Sequence, residues 1–369
     1  MSDWYAISDV DAVPTPALAV YPERIRENIR RMIAIAGGPA KLRTHAKTHK
    51  MAEVARLQLD AGITKFKCAT LAEAEMLGRC DAPDVLLAFA PVGPNIKLFI
   101  RLIDAFRRTK FSALANDADA IRALSQALTA AGKTISVYLD VDNGLGRTGV
   151  APDDDRATGL YRLLHESPGL RAGGLHVYDG QIREPELAAR AAACDAAFAP
   201  VEALRAELGR QDLPVPNVIV GGTPTFPIHA RRPGVECSPG TCLFSDAGYS
   251  ERYADLGFLH AAVVLTRVVS KPGRGRITLD LGYKAISADT PPPRVRLFGL
   301  TDAQVAIQSE EFLTLETSRA DEFRVGDLFY GVPLHICPTV ALHAEAWVIE
   351  NGRTAGRWRV AARDRMLTV

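Results

Sequence analysis

From about residue 16 to 240, short apolar runs rich in β-formers alternate with longer stretches in which Ala, Leu, Glu and Arg recur at helical spacing. That alternation is βα repetition and predicts a parallel sheet covered by helices. The strands it predicts lie at 18–21, 42–45, 66–69, 85–89, 111–115, 135–141, 172–177 and 218–220. Eight is the number that closes a (β/α)8 barrel of the TIM type, so the expected class is α/β. Start and stop signals mark the helices between them. The stretch 51–59 ends before Gly62, Pro152-Asp153-Asp154-Asp155 opens a helix running to His165, and the Ala-rich run 184–209 holds one long helix or two.

Beyond about residue 245 the texture changes to β-branched runs separated by turns, at 261–270, 276–281, 312–316 and 346–349. These predict a mostly-β second domain. Pro291-Pro292-Pro293 reads as a surface connection, because consecutive prolines cannot join a central ladder. The first fifteen residues lack barrel periodicity and are assigned to the β domain. The expected division is therefore 16–245 for the barrel and 246–369 plus 1–15 for the β domain, which suits a chain of 369 residues.

Composition narrows the function classes. Forty-four Lys plus Arg against 43 Asp plus Glu leave a formal charge of +1, so no global field exists to hold nucleic acid or an anionic membrane. With 47% hydrophobic and 24% charged residues the chain is an ordinary globular protein with a real core. The acidic start and the lack of a long apolar run predict a cytoplasmic protein that neither enters nor crosses a membrane. The 6 cysteines show no CxxC pair and are expected as free thiols, five of them simply buried.

Four stretches carry candidate chemistry. Gly144-Leu145-Gly146-Arg147-Thr148-Gly149 follows an apolar strand and has the GxGxxG form of a dinucleotide turn. Val150-Ala151-Pro152 then delays the helix which that turn requires, so the glycines read instead as a tight loop aiming Arg147 into a barrel mouth, or as a plain surface loop. The segment 41–50 packs Lys41, Arg43, His45, Lys47, His49 and Lys50 at the end of the second predicted strand. Neighbouring cations depress a lysine's pKa, as an amine nucleophile needs; the bland reading is a solvated basic rim. Gly221-Gly222-Thr223-Pro224-Thr225 ends the last predicted strand, where glycine N–H groups and threonine hydroxyls suit a phosphate, or else form a simple turn. A phosphate handle together with a nucleophilic amine points to pyridoxal 5'-phosphate.

The segments 42–50, Gly144 to Gly149, Leu175-His176-Val177-Tyr178-Asp179-Gly180, 221–225 and Leu334-His335-Ile336-Cys337-Pro338-Thr339-Val340, in that order, resemble the alanine-racemase-fold pyridoxal-phosphate enzymes. Within them they are most similar to the D-threonine aldolase and D-serine dehydratase group. The resemblance spans nearly the whole chain. It implies a barrel with a C-terminal β domain, a homodimer, and a metal-assisted lyase of D-3-hydroxy amino acids. It implies that Lys47 holds the cofactor as a Schiff base, with Lys50 as its rival. Arg147 would meet the cofactor's phenolic oxygen or the substrate carboxylate, and Tyr178 would sit beside the pyridine ring. Gly221, Gly222 and Thr223 would bind the phosphate, with Gly240 and Thr241 adding to that cup. His335 and Cys337 match the family's metal pair. In an extended segment, residues two apart face the same way and share one ion, for which nitrogen plus sulfur suits Zn²⁺ best, with Mn²⁺, Co²⁺ or Mg²⁺ as the other divalent candidates.

In that family the carbon–carbon bond breaks to glycine and an aldehyde, or loss of the Cα proton and hydroxide yields a keto acid and ammonia. Cys337, where aldolases tend to carry Asp, favours the dehydratase acting on D-serine or D-3-hydroxyaspartate; the run 338–343 and the chain as a whole favour the aldolase. Gln181 stands where the family often has a histidine, and an amide does not titrate usefully, so His45, His49 or a metal-bound water is left to act as acid or base. The remaining readings are an amino-acid racemase and a cofactor-binding protein without turnover.

Overall fold

The computed structural model describes residues 3–369, so Met1 and Ser2 of the segment assigned to the β domain lie outside the described residues. The chain divides into two compact units. One comprises the segment ending at Ile29, Thr48–Glu53 and Thr241–Arg363; the other comprises Arg30–Lys47, Val54–Gly240 and Asp364–Val369.

The first strand, β1 (Ala17–Val20), corrects the expectation of a barrel strand at 18–21. It pairs antiparallel with residues 262–265 and parallel with 347–348, inside the other sheet. All four of its residues are buried, so its apolar pattern fits a strand covered on both faces in either sheet.

The barrel is built from β2 (Arg43–His45), β3 (Lys65–Cys68), β4 (Asp84–Leu87), β5 (Lys110–Ala115), β6 (Ile135–Asp142), β7 (Leu170–Tyr178), β8 (Asn217–Val220) and β9 (Val235–Cys237). Neighbours pair in chain order, and every pair is parallel. Leu42 bridges Cys237 and the His45 N–H donates to the Pro239 carbonyl at 2.9 Å, so the last strand meets the first. Leu86, Leu114, Tyr138 and Ile219, from four different strands, form a buried cluster. Because side chains alternate, Asp84, Lys65, Lys67, Asp140, His176 and Tyr178 share that inner face.

Sequence-local signals start the helices. Thr70 accepts the Glu73 N–H at 3.1 Å while Glu73 reaches back to the Ala69 N–H at 2.6 Å, closing a capping box ahead of Leu71–Arg79. Asp117 accepts two N–H groups at the start of Ala118–Ala130. The Ala-rich run forms one helix, Leu187–Arg210, with Pro200 inside it.

The other unit holds β1 together with β10 (Ala262–Gly273), β11 (Arg276–Leu279), β12 (Val295–Leu297), β13 (Gln304–Gln308), β14 (Leu313–Glu316), β15 (Leu328–Pro333), β16 (Glu345–Glu350) and β17 (Arg353–Arg359). The order is β13-β14-β11-β10-β1-β16-β17, with β15 pairing both β10 and β12. Two apolar clusters stabilise it, one including Ile277, Leu279, Leu313 and Leu315, the other including Ile7, Val13, Ala19, Val263 and Leu265. Among the described residues no helix is long and apolar enough to cross a membrane.

Candidate active site

In the barrel unit, β2 runs into a 3-10 turn, Ala46–Thr48, that carries Lys47. The Lys47 N–H donates to His45 Nδ1 at 3.3 Å, and Lys47 Nζ lies 5.7 Å from the centre of the Tyr178 ring. Lys67 Nζ stands 5.9 Å from the same ring and the Arg147 guanidinium carbon 4.9 Å from it. Three cations thus gather about one aromatic ring at the C-terminal end of the barrel, where such folds place their chemistry.

Lys67 and Asp140 lie outside the motifs of the sequence, and they meet at His176, which is within one. The Lys67 amine donates to His176 Nε2 at 3.3 Å, which leaves His176 Nδ1–H to donate to Asp140 at 2.8 Å. Burial pushes the Lys67 amine down to about 7, the charge of Lys47 adds to that, and Asp140 and Asp179 oppose it. Burial, and then the charge of Lys67, also hold His176 below its ordinary value, against the pull of Asp140. The one signal available beforehand was a lysine between Phe66 and Cys68 on a strand buried on both faces.

The loop carrying Arg147 is built by Asp142, whose Oδ1 accepts the N–H groups of Gly144, Leu145 and Gly146 at 3.0, 2.9 and 3.0 Å. The next helix begins only at Arg156, so the GxGxxG form does not open a helix and is no dinucleotide turn. Gly149 has φ +104°, and a Cβ there would sit 2.5 Å from the Asp142 nitrogen. Gln181 donates from Nε2 to the Asn143 carbonyl, while its Oε1 is buried without a partner.

The turn after β8 is tied down from several sides. Gly221 has φ +73°, and the Gly222 N–H donates to Thr225 Oγ1 at 3.2 Å. Thr225 in turn donates to Asp179 Oδ1 at 2.9 Å. Arg190, fully buried, donates to the Pro224 carbonyl at 3.0 Å. Thr223 Oγ1 accepts the Gly240 N–H at 3.2 Å, joining the loops after β8 and β9 into one cup. The nearby Ser238 hydroxyl is buried and unpartnered. Asp179, Cys194 and His229 lie close enough to hold an ion, but their donor atoms are spent otherwise. His229 donates Nε2–H to Asp179 Oδ2 at 2.8 Å and accepts from Arg232 on Nδ1 at 3.2 Å, and burial pushes the Cys194 thiol up to about 12. The cluster acts as a brace for the turn.

In the β unit, His335 and Cys337 come together in a way that differs from an extended strand. His335 caps the helix Ile336–Leu342 and Cys337 lies in its first turn. Asp246 accepts the Ile336 N–H at 3.1 Å, and Pro338 follows at a position that needs no amide hydrogen, so helix is favoured there. Asp289 binds His335 Nδ1 at 2.5 Å. Although burial works against it, the Cys337 thiol and Asp289 raise the imidazole to about 9. Cys337 Sγ lies 3.2 Å from the Thr48 hydroxyl and 3.5 Å from that of Thr241, so the Thr241 hydroxyl faces the thiol. A carboxylate fixing one ring nitrogen, with a thiol beside the ring, is a donor set that suits a divalent ion of the zinc type.

Three other residues of the basic segment have defined surroundings. His49 is fully buried with Nδ1 bound to the Met51 backbone, its Nε2 is unpartnered, and burial drives it down to about 3. Lys50 has φ +54°, and its carbonyl accepts the Ala362 N–H at 3.2 Å. Arg43, from the same basic segment, is spent lower in the barrel: it binds Asp84 at 2.6 Å and Glu236 at 2.7 Å.

A parallel barrel with two lysines and an arginine about a tyrosine at its strand ends, followed in the chain by a β domain, defines a class of barrel enzyme. The chain belongs to the alanine racemase, N-terminal domain family, whose model matches residues 20–247, and a putative serine dehydratase domain matches 261–349. It is 32% identical to a D-threonine aldolase of Arthrobacter over 95% of this chain and 93% of that one. It is 28% identical to a D-threo-3-hydroxyaspartate dehydratase of Delftia, over 89% and 92%. The crystal structure of D-threonine aldolase from Filomicrobium marinum superposes with a TM-score of 0.89 at 27% identity, over 100% of both chains.

Proposed function

We propose that this chain is a pyridoxal-phosphate-dependent, metal-assisted lyase that cleaves D-3-hydroxy-α-amino acids to glycine and an aldehyde, in the manner of the D-threonine aldolases it resembles. The observation that carries the reading is the convergence of Lys47, Lys67 and Arg147 on Tyr178. The residues fit the cofactor. Lys47 provides an amine for covalent attachment, Tyr178 a flat surface beside the pyridine ring, and Arg147 a fixed charge for an anionic oxygen. Gly221, Gly222, Thr223 and Gly240 form a cup with the unpartnered Ser238 hydroxyl next to it, which suits a phosphate. His335 and Cys337 would hold the metal, with Asp289 fixing the imidazole. When bound, the cofactor supplies an electron sink for the bond broken at Cα and the metal supplies a Lewis acid.

The chain's own groups set the rest. Arg147, held by the loop that Asp142 organises, orients a carboxylate or phenolate, and Tyr178 excludes water from one face of the pocket. His49, buried and neutral, keeps the turn after Lys47 in place. Cys337 and the kinship with the Delftia enzyme support dehydration to a keto acid and ammonia as the second reading. Incubation with D-threonine separates the two: glycine plus acetaldehyde is expected, whereas 2-oxobutanoate plus ammonia would overturn the aldolase assignment. A homodimer and a cytoplasmic location complete the proposal; a sedimentation mass of one chain would contradict the dimer, and recovery of the protein from outside the cytoplasm on cell fractionation would contradict the location.

A further inference from the structure

Lys67 is a buried lysine that neither the cup, the attachment point nor the metal pair requires. It is 3% exposed, on β3, with its amine against His176. The charged and titratable groups that face it are Lys47 from the turn after β2, Arg43 from β2, Asp140 from β6, His176 from β7 and Asp179 just beyond β7, while Arg147 acts on His176. An ammonium buried within reach of the charges of Lys47 and Arg43 is disfavoured, and the relay from Lys67 through His176 to Asp140 offers it one anion at second remove. A phosphorylated ligand reverses that balance by bringing two or more negative charges into the same pocket.

We propose that Lys67 is a positioning residue of the ligand pocket: its amine takes up one proton from solvent when an anionic pyridoxal-type phosphate binds, and the ammonium so formed, braced by His176 and Asp140, balances the ligand's charge. The inference rests on the cofactor reading given above. Its physical basis is linkage, since a group that binds its proton more tightly in the complex makes binding depend on pH. The amine is already depressed to about 7 without the ligand, so the effect falls in the accessible range.

The probe is pyridoxine 5'-phosphate, which carries an alcohol in place of the aldehyde and cannot react with Lys47. Its affinity for the cofactor-stripped full chain is measured calorimetrically between pH 6.5 and 8.5, in two buffers of different ionisation enthalpy, for the wild type, Lys67→Arg and Lys67→Met. Titrations of the ligand itself are common to all three proteins and cancel in the comparison. Relative to Lys67→Arg, whose guanidinium stays charged, the wild type is expected to lose about tenfold in affinity per pH unit above about 7. It is expected to take up nearly one proton at pH 8, and Lys67→Arg none at this site. Lys67→Met is expected to bind most weakly and to lack the wild-type slope. One pH slope and one proton count shared by wild type and Lys67→Arg overturn the proposal, and that comparison stands even if Lys67→Met does not fold. Failure of the wild type to bind the probe overturns the cofactor reading and this inference with it.

Discussion

The carboxylate of Asp179 and the imidazole of His229 meet at 2.8 Å, both side chains buried, and the same carboxylate receives the Thr225 hydroxyl on its other oxygen. One residue after Tyr178 is thereby clamped to the turn that contains Gly221 and Gly222. Asp179→Ala leaves the His229 N–H and the Thr225 hydroxyl buried without an acceptor, which costs about 1–3 kcal/mol for each such group. A lower midpoint in thermal or chemical denaturation is expected, together with weaker retention of pyridoxal phosphate on dialysis. Unchanged cofactor retention in a folded Asp179→Ala protein would show that the brace does not shape the cup.

Arg43 sits in the same basic segment as Lys47 and has a different task. Its guanidinium is 1% exposed and is shared between Asp84 and Glu236, and Lys65 also binds Glu236. Arg43→Met is expected to destabilise the barrel by about 3–5 kcal/mol, because two carboxylates lose a buried partner. The visible spectrum of bound cofactor should not move. A shifted spectrum at unchanged stability would place Arg43 in the pocket after all.

That contrast shows how far the sequence was legible. The βα alternation announced a barrel, because seven of its strands, β2 to β8, fall in order between helical stretches. Yet β9 carries no apolar run: it is three residues long with Glu236 at its centre, and that glutamate is buried with Arg43 and Lys65 bound to it. β1 took its place in the count because four buried apolar residues say nothing about which sheet will receive them. Lys47, Arg147 and Tyr178 could be named from motifs, and the structure brings them around one ring. Lys67 could not, since its meaning depends on His176 and Asp140, which lie far away in sequence and meet it only across the barrel.

Lys47 and Lys50 are the two amines offered by the basic segment for attachment of the cofactor, and the geometry favours the first. Lys47 Nζ stands 5.7 Å from the Tyr178 ring. Lys47→Ala is expected to abolish the visible absorption of lysine-attached cofactor, while Lys50→Ala keeps it. The reverse result would transfer the assignment to Lys50.

His49 makes acid stability a readout of one buried ring. Its folded pKa of about 3 lies below the unfolded value of about 6.5, so protonation favours the unfolded chain. The contribution is therefore fully present above pH 6.5 and is lost as pH falls towards 3. Between pH 7 and 4.5 this group alone should remove about 2–3 kcal/mol of stability. In His49→Asn the side-chain oxygen can still accept the Met51 N–H, but nothing titrates, so the stability curve should flatten over that interval. An unaltered slope in urea denaturation would mean that the imidazole is not the group responsible.

The β unit yields the last prediction, which separates metal binding from cofactor binding. Asp289 occupies Nδ1 of His335, so the ring's other nitrogen is the one available to an ion beside the Cys337 thiol. His335→Ala and Cys337→Ala each remove one of the two proposed protein ligands and should leave the protein with little bound divalent metal by elemental analysis, with its lysine-attached cofactor intact. Asp289→Asn keeps both ligands but weakens the hold on the imidazole. A loss of about 10–100-fold in metal affinity is the usual cost of removing such a support. Activity on D-threonine should fall with metal content across the three variants and return when excess Mn²⁺ or Zn²⁺ is added to Asp289→Asn alone. Full activity in Cys337→Ala after treatment with a chelator would remove the metal from the proposed chemistry, and equal metal affinity in Asp289→Asn and wild type would reduce Asp289 to a surface partner of His335.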